Sequence, residues 1–399
     1  MELKPYQQGV INDLNLFLEQ LQQTNGRIRD SFYNYWFNKG FRPFPGTVVE
    51  PYKNNVQDGG SHPVPHVCIK VPTAGGKTFI ACNALRTIFD KIEPVRRGET
   101  ALSANVVVWL VPSNSILQQT IQNLRNTNHP YRQKVNSHFQ HRVEVFDKQA
   151  LLSGAGFNAT AVQGQLSIIV MSFDSLRAKN KEDRKLYQEN GNNISFAAAG
   201  SQRSNITTTG GTHVLEGTDE TAVINVIRRL SPVVVVDESH NAESDLSVEM
   251  LRNLNPAFIL DLTATPRKNS NIISFVDALE LKKENMVKLP VIVYNQKKER
   301  TEVINSALSL QRRLELLANE ERRQGGRYIR PIVLFQAQPK MAEDNQTFEK
   351  IKGTLIKAGI PSDQIKIKTA SVDELKGIDL LSTDCPVRYI ITVNALKEG

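Results

Sequence analysis

Residues 66–78 read HVCIKVPTAGGKT. An apolar run of strand length enters a Gly-Gly-Lys-Thr turn, and a helix-length segment over 78–91 leaves it. Strand, glycine turn and helix in that order are the context a phosphate-binding loop requires. Gly75 and Gly76 let the backbone curl so that successive N–H groups point at phosphate oxygens, and the following helix adds the positive end of its dipole. In such a loop Thr73, Ala74, Gly75 and Gly76 form the cradle, Lys77 neutralises the β and γ phosphates, and Thr78 holds Mg²⁺ through its hydroxyl. The strict pattern begins with Gly five positions before Gly76, where this chain has Val71. Taken alone, the stretch also fits a simple glycine turn ending in a lysine.

Further strand-length apolar runs lie at 106–111, 166–171, 233–236 and 258–262, with helix-length segments such as 114–124 between them. Unbroken apolar strands alternating with helices predict an α/β fold with a parallel sheet covered on both faces. The run at 233–236 is four valines, and it ends in Asp237-Glu238-Ser239-His240. Ligands sit at the carboxyl ends of strands in open α/β sheets. Asp237 is suited to ordering Mg²⁺, and Glu238 to polarising an attacking water. An isolated acidic pair equally well caps the next helix. The glycine turn and the acidic pair occur in order, each after its own buried strand, and together they favour a nucleotide site. The run at 258–262 ends in Thr263-Ala264-Thr265-Pro266. Thr263 and Thr265 could bond His240 and relay the nucleotide state, or simply form a polar turn closed by Pro266.

Around this frame, the spacing of Val10, Ile11, Leu14, Phe17, Leu18 and Leu21 predicts a helix over 4–21. Residues 26–65 hold many aromatics, prolines and glycines and read as an irregular insertion with one short helix. Residues 188–220 are small and polar without a period and read as a mobile inserted loop. After Pro290 the alternation restarts, with a linking strand near 291–294, a charged helix over 306–323, strands at 331–335 and 389–393 and a helix over 348–358. A boundary near 285–300 therefore divides a first domain, 1–290, from a second, 291–399. The 399 residues carry 49 Lys and Arg against 41 Asp and Glu, a net charge of +8 that suits a polyanionic partner. No run of about 18 apolar residues exists, which excludes a helical membrane span. Three cysteines cannot build a disulfide framework, so a reducing cytoplasm is the expected compartment.

The three segments together resemble the superfamily 2 helicases and translocases, in which the loose form of the phosphate loop occurs. Lys77 matches the phosphate-loop lysine, DESH at 237–240 the box named for its letters, and TAT at 263–265 the coupling motif. LKPYQ at 3–7 resembles the adenine-reading segment, with Tyr6 beside the base and Gln7, in preference to Gln8, on its edge. VPSN at 111–114 resembles the motif that grips a nucleic-acid backbone, which assigns that role to Pro112, Ser113 and Asn114. MSFD at 171–174 is similar in position to a further gripping motif and adds Ser172. Within the superfamily, LKPYQQ, KVPTAGGKT, DESHNAE, LDLTATPR, PIVLFQAQPK and YIITVNALKEG are most similar to the helicase (Res) subunit of type III restriction enzymes. The last two segments place Gln336 and Thr392 at nucleic acid.

The resemblance implies a RecA-like ATP-binding domain over 1–290 and part of a second over 291–399. It implies ATP and Mg²⁺ as cofactors, double-stranded DNA as track and a modification methyltransferase subunit as partner. Lys77, Asp237, Glu238 and His240 then carry the catalysis, with Thr78 and Asp237 on Mg²⁺. In that family the NALKEG segment leads into a Trp-Asp pair and an arginine motif. This chain stops at Gly399, so an N-terminal fragment with poor turnover is expected. An RNA helicase, or a module that binds nucleotide or DNA without turnover, remains the alternative. His62, His66 and Cys68 lie close together without a visible fourth metal ligand, and read as structural. Asp363 with Glu374 and Lys376, the basic run from Arg177 to Lys185, and Arg322, Arg323, Arg327 and Arg330 fit solvated charged faces; the two basic groups fit contacts to phosphates equally well.

Overall fold

Val106, Val108 and Leu110 belong to one hydrophobic cluster, and Val107, Trp109 and Val111 to another. Strand β2 (Asn105–Val111) is therefore buried on both faces, which is why its sequence is continuously apolar rather than alternating. The same split divides Val233 and Val235 from Val234 and Val236 in β5 (Val233–Asp237), and Leu166, Ile168 and Val170 from Ile169 and Met171 in β4 (Leu166–Ser172). The computed structural model describes residues 1–58, 61–96, 104–176, 185–201, 214–237, 245–286, 293, 300–339, 345–369 and 371–393, apart from the side chains of 198–201, 245–247 and 300–301. These residues divide into two compact units, Met1–Pro290 and Val291–Gly399.

In the first unit seven strands form one sheet in the order β3-β4-β2-β5-β6-β1-β7. β1 is His66–Lys70, β3 Val143–Phe146, β6 Phe258–Thr263 and β7 Ile272–Phe275. Every pairing is parallel. This is the α/β class with a parallel sheet that the alternation predicts, and it agrees with the RecA-like fold that the resemblance implies. Helices α1 (Pro5–Gln23), α2 (Ile28–Asn38), α3 (Lys77–Lys91), α4 (Asn114–Arg125) and α5 (Pro130–His138) supply buried side chains to one face. Helices Val223–Leu230 and Asp245–Asn253 cover the other.

Local chemistry starts and stops these elements. Pro5 opens α1, and the chain leaves it through Gly26 at φ +78°, whose N–H donates to Leu21 O. Helix α4 is capped by Ser113, whose Oγ accepts from the Ile116 N–H. The expected insertion at 26–65 contains the helix α2, and its irregular remainder is anchored by buried Val49, Tyr52, Val56 and Val64. The expected loop at 188–220 is in part helical. Residues Ile194–Ser201 form a helix with Phe196 fully buried, because the Phe-Ala-Ala-Ala run has high helix propensity. Residues 202–213 of that loop and the expected linking strand at 291–294, except 293, lie outside the described residues.

The second unit holds a three-stranded parallel sheet in the order β8-β10-β9: Val333–Gln336, Tyr389–Thr392 and Ile365–Lys368. Helices Arg300–Arg323 and Phe348–Lys357 pack on it through Leu308, Ile351 and Leu355. A fork from Arg388 to Glu315, at 3.1 Å on both oxygens, ties the strand to the long helix.

Candidate functional site

β6 lies between β1 and β5, with Lys70 in register with Thr263 and Asp237 in register with Leu262. The carboxyl ends of β1 and β5 are thus two strand spacings apart, about 10 Å. The glycine turn leaves one end and Asp237 stands at the other. Loop pairing extends the sheet on both sides, since Val71 N–H donates to Thr263 O and Val276 N–H to Lys70 O, both at 2.9 Å.

The turn itself bends through Ala74 at φ +67° and Gly76 at φ +75°. Alternating backbone hands of this kind turn successive N–H groups to one side and make an anion nest. Gly76 caps α3, so the helix begins at Lys77. Thr73 and Ala74 are exposed, whereas Lys77 is only 9% exposed and Asp237 8%. A loop of N–H groups, a buried amine, the Thr78 hydroxyl and the Asp237 carboxylate fit a triphosphate with Mg²⁺, whose hard charge takes oxygen ligands.

The N-terminal helix holds this loop in shape. Tyr6 Oη donates to Gly75 O at 2.9 Å, and Gln7 Nε2 donates to the same oxygen at 3.1 Å. Gln7 Oε1 accepts from Lys4 N–H at 3.0 Å, so both ends of the fully buried amide are engaged. In a trans peptide the C=O and the next N–H point opposite ways. Fixing the Gly75 carbonyl toward α1 therefore aims the Gly76 N–H away from it. Burial pushes the Tyr6 hydroxyl above its ordinary value, so Tyr6 remains a donor. Gln8, the alternative base reader, is exposed and bonds Asn12 instead.

Glu238 and His240 lie outside the described residues, as do NALKEG at 394–399 and residues 177–184 of the basic run. Thr263 is fully buried, and its Oγ1 accepts from the Thr265 N–H at 3.1 Å. The segments expected at nucleic acid come together on the same carboxyl edge, because Val111 is in register with Ser172. Ser113 is engaged as a helix cap next to Pro112 and Asn114, and Ser172 Oγ accepts from Ser175 N–H. In the second unit Thr392 is in register with Gln336 at the end of that sheet; Thr392 is buried and Gln336 exposed.

Two features escaped the sequence reading. Tyr131, at the start of α5, stacks on Phe79 of α3 at 6.1 Å. Burial raises its hydroxyl pKa, and Cys82 and Asp237 add to the rise. The second is a buried pair across β1 and β6, with His66 Nε2 2.9 Å from Asp261 Oδ2. Burial, with the Asp261 charge beside it, pushes the Cys68 thiol well up. Among the described residues no cluster of His, Cys, Asp and Glu has the form of a metal site. Glu374 accepts from Ile367 N–H and pairs with Lys352, a structural tie rather than a nuclease centre. Arg330 donates to the carbonyls of Leu380, Ser382 and Thr383, which commits it to the fold of the second unit. No helix is long and apolar enough to cross a membrane among the described residues.

Residues 1–268 match the family model described as type III restriction enzyme, res subunit. Two solved structures are similar in outline. One is the Sulfolobus solfataricus SWI2/SNF2 ATPase core in complex with dsDNA, 10% identical at a TM-score of 0.31, covering 98% of this chain and 78% of that one. The other is T4 UvsW, 12% identical at 0.26, covering 93% of this chain and 63% of that one. No curated protein matches the chain.

Proposed function

The chain belongs to the family of the type III restriction enzyme res subunit and carries that family's helicase-type ATPase domain; on that premise we propose that it is an ATP-driven motor on double-stranded DNA. The observation that supports this is the shared sheet edge. The Gly75–Gly76–Lys77 turn and Asp237 stand about 10 Å apart across β6, the scale of a triphosphate with its metal.

In this reading the loop N–H groups and Lys77 hold the β and γ phosphates. Thr78 and Asp237 hold Mg²⁺, which supplies charge neutralisation at the transferring phosphoryl group when bound. Glu238 orients and deprotonates the attacking water, with His240 beside it. Tyr6 and Gln7 keep the loop shaped and receive the base. Thr263 ends β6 and Thr265 follows it, between the two phosphate-side elements, and they pass on the change of state. Pro112, Ser113, Asn114 and Ser172 of the first unit are assigned to the DNA backbone, and the motifs that hold Gln336 and Thr392 assign those two residues of the second unit the same role. Such contacts position the track without reading its sequence. The domain assignment follows: an ATP-binding lobe over 1–290 and a second lobe of the same kind contributed from 291–399. A methyltransferase subunit would supply site recognition.

The test is ATP turnover against a panel of duplex DNA, single-stranded DNA and RNA, with Lys77→Ala and Glu238→Gln alongside. The expected result is stimulation by duplex DNA, loss of nucleotide binding in Lys77→Ala, and retained binding without turnover in Glu238→Gln. Stimulation by RNA alone would assign an RNA helicase. Binding with no turnover under any condition would leave a binding module. Full turnover in Glu238→Gln would remove its assigned role.

A further inference from the structure

Helix α2 buries Ile28, Phe32, Tyr35 and Trp36 and turns a second stripe outward. Arg29, Tyr33 and Phe37 follow one another at four-residue spacing and so lie on one helix face. Tyr33 is 42% and Phe37 49% exposed, and their rings are nearly parallel, 13° apart in plane and 6.1 Å between centroids. The Arg42 guanidinium sits 5.7 Å from the Phe37 ring centre. Phe41 and Phe44 continue the ledge at 46% and 63% exposure. Of the five exposed aromatic residues among those described, four fall in this stretch; the other is Phe275. A random scatter of surface aromatics would not concentrate so.

Charge selects the occupant. Between residues 27 and 44 the chain has Arg27, Arg29, Lys39 and Arg42 against Asp30 alone. Asp30 is paired with Arg27 and Lys39 with Asp13, which leaves Arg29 and Arg42 flanking the aromatic row. Aromatic faces alternating with cations match a strand whose flat bases stack while its phosphates meet the cations. Paired bases keep their faces inside the duplex, so only unpaired bases can use such a row. From Arg29 to Phe37 the helix rises about 12 Å, room for two or three stacked bases. The platform is itself held rigid, because Tyr35 Oη bonds Ile273 O at the β7 edge and Trp36 packs edge-on against Phe41.

We infer that the outer stripe of α2, Arg29–Tyr33–Phe37 with Arg42, is a stacking site for single-stranded nucleic acid. The site goes beyond the duplex motor and is tested without nucleotide, so it stands or falls separately from DNA-stimulated turnover. The probes are labelled oligothymidylate and oligouridylate of about 20 nucleotides and an abasic strand of the same length, titrated with the whole chain in fluorescence anisotropy. The expected result is at least tenfold tighter binding of a base-bearing strand than of the abasic one; the tighter of the two base-bearing strands identifies DNA or RNA. Tyr33→Ala with Phe37→Ala should remove about tenfold or more of that preference, since each stacked base is worth that order. Phe37→Tyr should keep it, and Arg42→Ala should lower the salt dependence by about one ion. Equal affinity for the abasic strand, or an unchanged preference in the folded double variant, overturns the inference. So does concentration-dependent self-association of the chain that the double variant abolishes, since the row would then be a protein contact.

Discussion

The Tyr6 hydroxyl donates to the carbonyl oxygen of Gly75 across 2.9 Å, joining the first turn of α1 to a loop 69 residues later. Gln7 reaches the same oxygen. The pair orients one peptide plane, and with it the Gly76 N–H. Tyr6→Phe removes one hydrogen bond worth about 0.5–1.5 kcal/mol and leaves the ring in place. Nucleotide affinity should fall about two- to tenfold, with the melting temperature little changed. Titration with a fluorescent ATP analogue checks this; unaltered affinity would show that the hydroxyl has no part in shaping the loop.

A methyl group at Gly76 has no room. Its Cβ would stand 2.5 Å from Gln7 Nε2, and φ +75° disfavours any L side chain by about 1–2 kcal/mol. Gly76→Ala should therefore lose more than tenfold in nucleotide affinity and several degrees of melting temperature. Ala74, at φ +67°, is the internal control. Ala74→Gly relieves a left-handed backbone that costs about 1–2 kcal/mol but raises the entropy of the unfolded chain by about 0.4–1 kcal/mol, so a small net gain remains. Calorimetry of both variants should show a clear loss in the first and a small change in the second.

The sheet was legible because its central strands are buried on both faces and so write themselves as unbroken Val and Ile runs. β3, β7 and β9 were missed for the opposite reason. They are four residues long, and in VEVF, IISF and IKIK a Glu, a Ser or a Lys interrupts the apolar run. The phosphate loop was legible as a local motif, and so was its bond to a buried strand. What holds it was not. The Tyr6–Gly75 contact joins residues far apart in the chain, and no periodicity announces it. The stack of Tyr131 on Phe79 is likewise a tertiary fact, since it depends on how α5 lies across α3.

His66 and Asp261 bond at 2.9 Å between neighbouring strands, with side chains 7% and 4% exposed. Removing one partner strands the other in a site that water hardly reaches, at a cost of about 1–3 kcal/mol. Asp261→Ala should lower the unfolding free energy from urea titration by that amount, and Asp261→Asn by less because the amide oxygen still accepts. A double-mutant cycle with His66→Ala should return a coupling above about 0.5 kcal/mol. Additive losses would mean that the two side chains stabilise the sheet independently.

His138 closes α5 half-buried, and its Nδ1 has no hydrogen-bond partner among the described residues. Burial, with the Lys134 and Arg86 charges beside it, holds its imidazole below the ordinary value of 6.5. The unfolded chain therefore takes up this proton at a higher pH than the folded chain does. Above about pH 6.5 the ring is neutral in both states and contributes no pH dependence. As pH falls through that value toward the folded pKa, the unfolded state binds the extra proton and stability is lost. His138→Gln removes the titration while keeping a polar side chain of similar reach. Urea midpoints followed from pH 8 down to pH 5, a range spanning the titration, should fall more steeply for the native chain than for His138→Gln. Parallel curves would move the acid sensitivity to another group.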